Sequence, residues 1–287
     1  MGGRNGPNAH DDRGPGGYRL LRLRYLDLPF LLRPEPQFQP MSMDRSVLKK
    51  LLSAFLVLCL SSSQANAWTL KASTFAQSLN QNDVTTSGID TTGADLIIIV
   101  AGWYPQGGTV KVKDSASNTW SSKTSYFDGL FRQIQISYVF SPTTGVAQTF
   151  GSGGTGDTCT QCYAAITVEA WSGSTSNGNE GDKSANTGSG TSLQPGSISP
   201  AANDLFITGI AAANSATGFT NGGVFTVSNQ HAFTGNGVAI GMAHGTSSSA
   251  QNPTWSWTNA DEAIAAMTAF KPSGGATTYS APFFGGN

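Results

Sequence analysis

The chain has 287 residues, of which 11% are charged and 35 are glycine, and its formal net charge is −1. A globular protein usually carries about 25% charged residues and about 7% glycine, so this composition argues against a helical bundle or a coiled coil. It favours a β-rich fold with many turns, and the length suffices for one or two domains with a buried core. The lack of a basic excess argues against a protein that binds nucleic acid.

Residues 43–67 have the pattern of a secretory signal peptide. A basic region ends at Lys50, an apolar run covers 51–60, and an A-x-A cleavage site ends at Ala67. The apolar run is too short to span a bilayer as a mature helix. We therefore expect cleavage near Ala67, secretion to the periplasm or the exterior, and no membrane span in the mature form.

Residues 1–42 lie upstream of this signal peptide. The simplest interpretation is a misannotated extension, in which the start codon is assigned too early and Met41 or Met43 is the true start. The alternative is an amphipathic membrane-binding arm built on the arginine-rich stretch 19–24. Four prolines between this stretch and Met41 would break a long helix, which argues against such an arm.

The mature chain reads as an all-β protein. From residue 68 onward it contains twelve acidic and seven basic residues, a net charge of −5. Short β-branched or aromatic segments recur along it, separated by Gly, Asn, Asp and Ser clusters, which is typical of a β-sandwich. We predict a β-sandwich domain over 68–272 and a flexible C-terminal tail over 273–287.

Two internal similarities predict that the sandwich consists of two pseudo-repeated halves. Residues 89–98 align with residues 198–207 at an offset of 109, and residues 163–171 align with residues 262–270 at an offset of 99. The alanines of 262–270 raise its helix propensity, but its alignment with 163–171 favours a strand. Because neither half alone offers much core, we expect both to pack as one jelly-roll-like sandwich.

Four segments resemble a family of secreted bacterial β-sandwich proteins, most of which have no assigned activity. The family pattern is roughly D-x-x-G-N-T-[WY], E-[YW]-S-G, N-D-L and A-x-F-[KR]-P. The matching segments here are 114–120, 168–173, 202–205 and 266–272. Ser117 stands where the family usually has glycine. The resemblance covers nearly all of 84–272 and implies a sandwich fold and export, but it brings no catalytic residues.

Cys159 and Cys162 form a C-x-x-C pair, which suits a redox pair, half of a zinc site or a local disulfide. A redox pair normally lies at the start of a helix that follows a strand, whereas a glycine-rich segment precedes this pair. A zinc site would need two further ligands, and the sequence has no second pair. Export to an oxidising compartment favours a structural disulfide.

The sequence predicts neither a cofactor nor a metal site. Residues 151–156 match G-x-G-x-x-G, but dinucleotide binding requires a helix next, and none is expected there. His231 and His244 are the histidines of the mature chain, and neither lies in an H-x-H or H-E-x-x-H motif. A nucleophile elbow of the form G-x-S-x-G is also absent from the sequence.

Glu169 is the acid with the clearest catalytic potential. Strand alternation places it on one face of 163–171, together with three polar or aromatic side chains. These are Tyr163, Thr167 and Trp171. A glycosidase would need a second carboxylate within about 5–10 Å, and Glu262 could supply it only if the fold brings it near. The alternative is a structural glutamate that hydrogen-bonds to hydroxyls or to Arg132.

A second strand, 131–140, has one apolar face and one face rich in amides and hydroxyls. Sugars are bound by such groups together with aromatic rings. If this strand pairs with 163–171, the polar and aromatic side chains of both form one ligand-binding patch. The predicted patch consists of Gln133, Gln135, Tyr163, Thr167, Glu169 and Trp171. The alternative is that Trp171 only covers the edge of the core.

We therefore expect a secreted, non-enzymatic β-sandwich that mediates adhesion or binds a surface polysaccharide or glycan. The first alternative is a polysaccharide-degrading glycoside hydrolase on the same jelly roll, in which Glu169→Gln abolishes activity and leaves the fold intact. The second is a structural subunit of the envelope or extracellular matrix, assembled through the C-terminal tail. The sequence leaves the ligand and the oligomeric state open.

Overall fold

A computed structural model of the chain describes most of residues 68–273. The described residues are 45–46, 49, 68–78, 83–104, 109–129, 132–153, 163–174, 178–200, 202–212, 216–232 and 237–273. The predicted extension 1–42, nearly all of the predicted signal peptide 43–67, the pair Cys159 and Cys162, and the predicted tail beyond residue 273 lie outside these residues. Within the described ranges, no helix has the length and apolar character needed to cross a membrane.

The described residues between 68 and 273 form fourteen strands, all paired antiparallel. They are β1 (Thr69–Gln77), β2 (Leu96–Tyr104), β3 (Val112–Asp114), β4 (Ser121–Ser122), β5 (Tyr126–Phe127), β6 (Gln133–Phe140), β7 (Phe150–Ser152), β8 (Tyr163–Ser172), β9 (Asn179–Leu193), β10 (Asp204–Ala212), β11 (Thr217–Asn221), β12 (Thr226–His231), β13 (Ala239–Ser247) and β14 (Trp255–Phe270). The prediction of an all-β sandwich is confirmed.

The strands form two large sheets and one small sheet. The first sheet has the order β1-β8-β2-β6-β4, and β5 also pairs with β6. The second has the order β11-β14-β10-β13-β12, and β9 also pairs with β14. Strands β3 and β7 form the small sheet. The strands up to Ser172 thus build one large sheet, and the strands from Asn179 onward build the other.

Strand register confirms the internal similarity. Strand β2 lies between β8 and β6, just as β10 lies between β14 and β13. Ile97 pairs with Ala170 in the first sheet. Phe206 pairs with Ala269 in the second sheet, at the positions that the offsets of 109 and 99 relate to the first pair. The two halves therefore share their central strand order and their register.

The main hydrophobic core lies between the two large sheets. Strands β2 and β10 are buried along almost their whole length, because further apolar clusters cover the outer face of each sheet. Burial on both faces explains why these strands are continuous apolar runs rather than alternating ones. Side chains between the sheets include Leu96, Ile98, Val100, Ile136, Leu205, Ile207, Met242 and Phe270.

Gly209 marks a close approach of the two large sheets. A Cβ atom at this position would lie 2.3 Å from Cγ1 of Val100 on the facing sheet. Gly102 has the same role nearby, since its Cβ would lie 2.8 Å from Cβ of Ala211. Close packing, and not an unusual backbone conformation, therefore requires glycine at both positions.

Candidate functional site

The predicted ligand patch does not form, because β6 and β8 do not pair with each other. Strand β2 lies between them, and Ala101 of β2 pairs with Gln135 on one side and with Ile166 on the other. Paired residues share a face of a sheet, so Gln135 and Gln133 face the side opposite to Thr167 and Glu169. The condition for the predicted patch, that these two strands pair with each other, is therefore not met.

Burial also keeps most of the predicted side chains away from a ligand. Thr167 and Glu169 are fully buried, and Trp171 is 4% exposed within the core between the sheets. The buried amide of Gln135 donates to the carbonyl of Lys123 at 3.0 Å. Trp171 therefore belongs to the core, as the alternative interpretation had it.

Gln133 and Tyr163 are half-buried and lie at one end of the first sheet. Tyr163 pairs with Tyr104 of β2, and the two rings stack with their centroids 6.1 Å apart. Gln133 pairs with Trp103 on the other side of β2. The structure thus separates these two residues from the buried members of the predicted patch.

Glu169 lies in a buried polar group that joins the two large sheets. Its Oε1 lies 2.8 Å from Nδ1 of His244, and its Oε2 accepts a hydrogen bond from Nε1 of Trp171, also at 2.8 Å. The rings of Trp171 and His244 meet edge to face, with centroids 4.7 Å apart. No local pattern in the sequence pairs Glu169 with His244, because His244 lies 75 residues further along the chain, in the other half.

Arg132, which was expected as a partner of Glu169, bonds two other carboxylates. Its Nη1 lies 3.1 Å from Oδ2 of Asp128 and 2.5 Å from Oε2 of Glu262. The side chains of Arg132 and Asp128 are only 7% and 5% exposed, so this ion pair is nearly buried. Arg132 thereby ties the first sheet to β14 of the second.

Glu262 does not supply a second carboxylate for Glu169. Along strand β2, Glu169 pairs with Ile98. Arg132, which bonds Glu262, lies just beyond the residue that pairs with Trp103, five residues further along β2. About five residues of extended strand span roughly 17 Å. A glycosidase pair requires about 5–10 Å, so these two acids are too far apart to act together.

A groove of about 490 Å³ beside β3 is the candidate ligand site, and we call it the Trp120 groove. Its volume lies within the range of about 300–1,000 Å³ that is usual for small-molecule and cofactor pockets. The lining residues are Lys111, Val112, Lys113, Asp114, Ser117, Asn118, Thr119, Trp120 and Ser122. The lining is therefore rich in hydroxyl, amide and lysine groups around one aromatic ring.

Asp114 organises the turn that forms the wall of this groove. Its Oδ1 accepts a hydrogen bond from the backbone N–H of Ala116 at 2.7 Å and from the amide of Gln148 at 3.2 Å. Its Oδ2 accepts one from Nε1 of Trp120 at 2.8 Å. The side chain of Asp114 thus fixes both the turn and the indole. Ser117, in this turn, has a φ of 58°, the left-handed region in which glycine is favoured.

Trp120 is half-buried, and its ring meets that of Phe150 edge to face, with centroids 6.4 Å apart. Phe150 belongs to β7 and to the apolar cluster on the outer face of the first sheet. The indole is therefore anchored from two sides, by Asp114 and by Phe150. A ring held in this way loses little conformational freedom when a ligand stacks on it.

The sequence does contain a signal for this site, in the motif that carries the family resemblance. Asp114, Asn118 and Trp120 belong to the D-x-x-G-N-T-[WY] motif, and two lysines precede them. Among the residues that the structure describes, no three or more His, Cys, Asp and Glu side chains group to hold a metal ion. No protein-family model matches the chain, and no curated protein or solved structure matches it significantly.

Proposed function

We propose that the chain is an exported, non-enzymatic β-sandwich protein that binds a polysaccharide or a cell-surface glycan in the Trp120 groove. The observation that carries this proposal is the indole of Trp120, anchored by Asp114 and Phe150 at the edge of a polar groove. Aromatic rings stack on the C–H faces of sugars, and a few well-placed polar groups fix their orientation. Export itself rests on the signal-peptide pattern of residues 43–67.

The polar lining of the groove suits the hydroxyl groups of a sugar. Ser117 and Thr119 are exposed, so their hydroxyls are accessible to a ligand. Asn118 is held in place, because its Nδ2 donates to the carbonyl of Thr143 at 3.0 Å and its Oδ1 accepts from the N–H of Thr143 at 2.7 Å. The turn thus presents hydroxyls on a rigid base, which favours binding over a mobile loop.

Binding without cleavage is favoured over the hydrolase alternative. Glu169 is fully buried and both of its carboxylate oxygens are bonded, so a glycosidic oxygen has no path to it. Asp128 and Glu262 do approach each other, but both bond the same guanidinium nitrogen of Arg132. This contact ties up an oxygen of each carboxylate, which leaves the pair poorly suited to protonate a leaving group.

A depletion assay tests the proposal. The purified protein is incubated with a panel of insoluble and gelled polysaccharides, and the protein left in solution is measured. We expect retention on at least one polymer and a loss of affinity of about ten-fold or more in Trp120→Ala. Phe75→Ala removes an exposed aromatic ring of β1 outside the groove, and it should bind like the unchanged chain.

Thr119→Leu gives a second test that leaves the bonds of Trp120 in place. It removes one exposed hydroxyl and adds bulk inside the groove, so binding should again weaken while the melting temperature stays the same. Unchanged binding in both groove variants would place the ligand elsewhere. Failure of the protein to bind any polymer would favour the structural-subunit alternative, for which deletion of residues 274–287 should shift the sedimentation coefficient.

A further inference from the structure

We propose that the Trp120 groove selects an anionic polymer, namely a polysaccharide that carries carboxylate or sulfate groups. This inference rests on the proposed function and names the ligand class of the same groove. Lys111 and Lys113 both line it, although the mature chain has only seven basic residues against twelve acidic ones. Two of the seven basic side chains of residues 68–287 thus lie at this groove.

The two lysines lie on the same side of the chain. Val112, between them, packs against the apolar cluster on the outer face of the first sheet, so its neighbours point away from that cluster. Residues two apart in an extended chain are separated by roughly 7 Å. A pair of cations at this separation suits a polymer that presents repeated acidic groups better than it suits a neutral sugar.

The acidic groups near the lysines do not cancel this preference. Lys113 bonds Asp83 at 2.9 Å, but the two side chains are 43% and 58% exposed. Exposed ion pairs contribute little to stability, so an acidic group of a ligand can take the place of Asp83. Asp114 is turned toward the N–H groups of its own turn and of Trp120. These hydrogen bonds hold both carboxylate oxygens of Asp114 against the turn and the indole.

A comparison of matched polymers tests the selection of anions. The full chain is titrated onto polygalacturonate and onto its fully methyl-esterified form, which has the same backbone without the charge. Dextran sulfate and plain dextran form a second pair, which distinguishes sulfate from carboxylate recognition. We expect at least ten-fold tighter binding to one charged member than to its neutral partner, and we expect added salt to weaken that binding.

The double variant Lys111→Gln/Lys113→Gln should bind the charged polymer about ten-fold more weakly than the unchanged chain. Its binding should also lose most of its dependence on salt concentration. Lys71→Gln/Lys183→Gln makes the same change in net charge at two exposed positions outside the groove, and it should bind normally. An equal loss of affinity in both double variants would overturn the inference, because net charge alone would then explain binding.

The outcomes separate this inference from the proposed function. Equal binding to charged and neutral polymers, lost in Trp120→Ala, would overturn anion selection and leave glycan binding in the groove intact. Binding to charged polymers that Trp120→Ala does not weaken would overturn the groove as the site for both. Absence of binding to every polymer would overturn both proposals together.

Discussion

The carboxylate of Glu169 in the first sheet lies 2.8 Å from the imidazole nitrogen Nδ1 of His244 in the second sheet. The pseudo-repeat has a counterpart of this contact, because Tyr138 takes the place of His244 and Phe270 takes the place of Trp171. Tyr138 and Phe270 meet edge to face at 5.3 Å, as His244 and Trp171 do at 4.7 Å. The two inter-sheet contacts share their aromatic geometry, and one of them adds a buried acid.

Removing one partner of this buried pair should strongly destabilise the protein. Glu169 is 0% exposed, so His244→Ala leaves its carboxylate in the core without the imidazole. The expected loss in the free energy of unfolding is about 3–5 kcal/mol, measured by urea denaturation. Glu169→Gln should also lower stability, whereas the same substitution at a purely catalytic acid should leave stability unchanged. The double variant Glu169→Met/His244→Tyr removes the carboxylate and the imidazole together and should recover part of the loss, since only the N–H of Trp171 then lacks its acceptor.

A loss below about 1 kcal/mol in His244→Ala would contradict this assignment, since the pair would then behave like an exposed one. The losses in the free energy of unfolding in His244→Ala and Glu169→Gln can also be added. This sum should exceed the loss in the double variant Glu169→Gln/His244→Ala, which combines the same two changes, because the two residues are in direct contact and their effects do not add.

Gly209→Ala should destabilise the sandwich because the facing sheet leaves no room for a methyl group. Its Cβ would lie 2.3 Å from Cγ1 of Val100. Overpacking of this kind costs about 1–3 kcal/mol, which thermal unfolding resolves easily. Gly222→Ala is the matched control, because a Cβ there meets no atom within 4 Å. Val100→Ala in the Gly209→Ala background should restore part of the loss, and no recovery would argue against a direct clash.

The fold could be predicted from the sequence because its signals are local or repeat along the chain. Strand alternation placed Thr167 and Glu169 on one face, and the structure confirms it. The alignment of 262–270 with 163–171 favoured a strand over a helix, and β14 confirms this as well. Such features depend on neighbouring residues or on repeated segments, so one sequence suffices to detect them.

The candidate site could not be predicted in the same way. Whether Gln135 and Glu169 share a face depends on the register of both strands against β2, and β2 is apolar on both faces. Its sequence therefore carries no alternation from which a phase could be inferred. The contact between Glu169 and His244 crosses from one sheet to the other, and no local pattern records such a contact.

Ser117→Gly should stabilise the turn beside the groove. Ser117 has a φ of 58°, a conformation that costs a residue with a side chain about 1 kcal/mol more than it costs glycine. Part of this gain is offset by the greater freedom of glycine in the unfolded chain, so we expect a net gain of about 0.5 kcal/mol. Ser117→Ala keeps the same strain and should not stabilise. A lower melting temperature in the glycine variant would show that the Ser117 hydroxyl matters more than the backbone.

Asp90 should titrate below its ordinary value. The side chain and the backbone N–H of Thr92 hydrogen-bond its carboxylate, which lowers its pKa from 3.8. Because the folded pKa lies below the unfolded one, this contribution to stability is present above the unfolded pKa and is lost as the pH falls through the folded one. Carboxyl NMR titration should show this, and Thr92→Val should raise the pKa of Asp90 by removing one of the two bonds. An unchanged pKa in Thr92→Val would assign the shift to the backbone bond alone.

Asp114 should link the stability of the turn to ligand binding. Asp114→Ala removes the acceptor for the N–H groups of Ala116 and Trp120, and leaving such donors unpaired costs about 1–3 kcal/mol. The freed indole should also weaken polymer binding, while Asp114→Asn keeps one acceptor oxygen and should lie between the two. Ser115→Ala is the control, because it removes the bond from the N–H of Thr149 and none to Trp120. Its polymer affinity should stay unchanged, and a loss equal to that of Asp114→Ala would mean that the whole turn, rather than the anchored indole, determines binding.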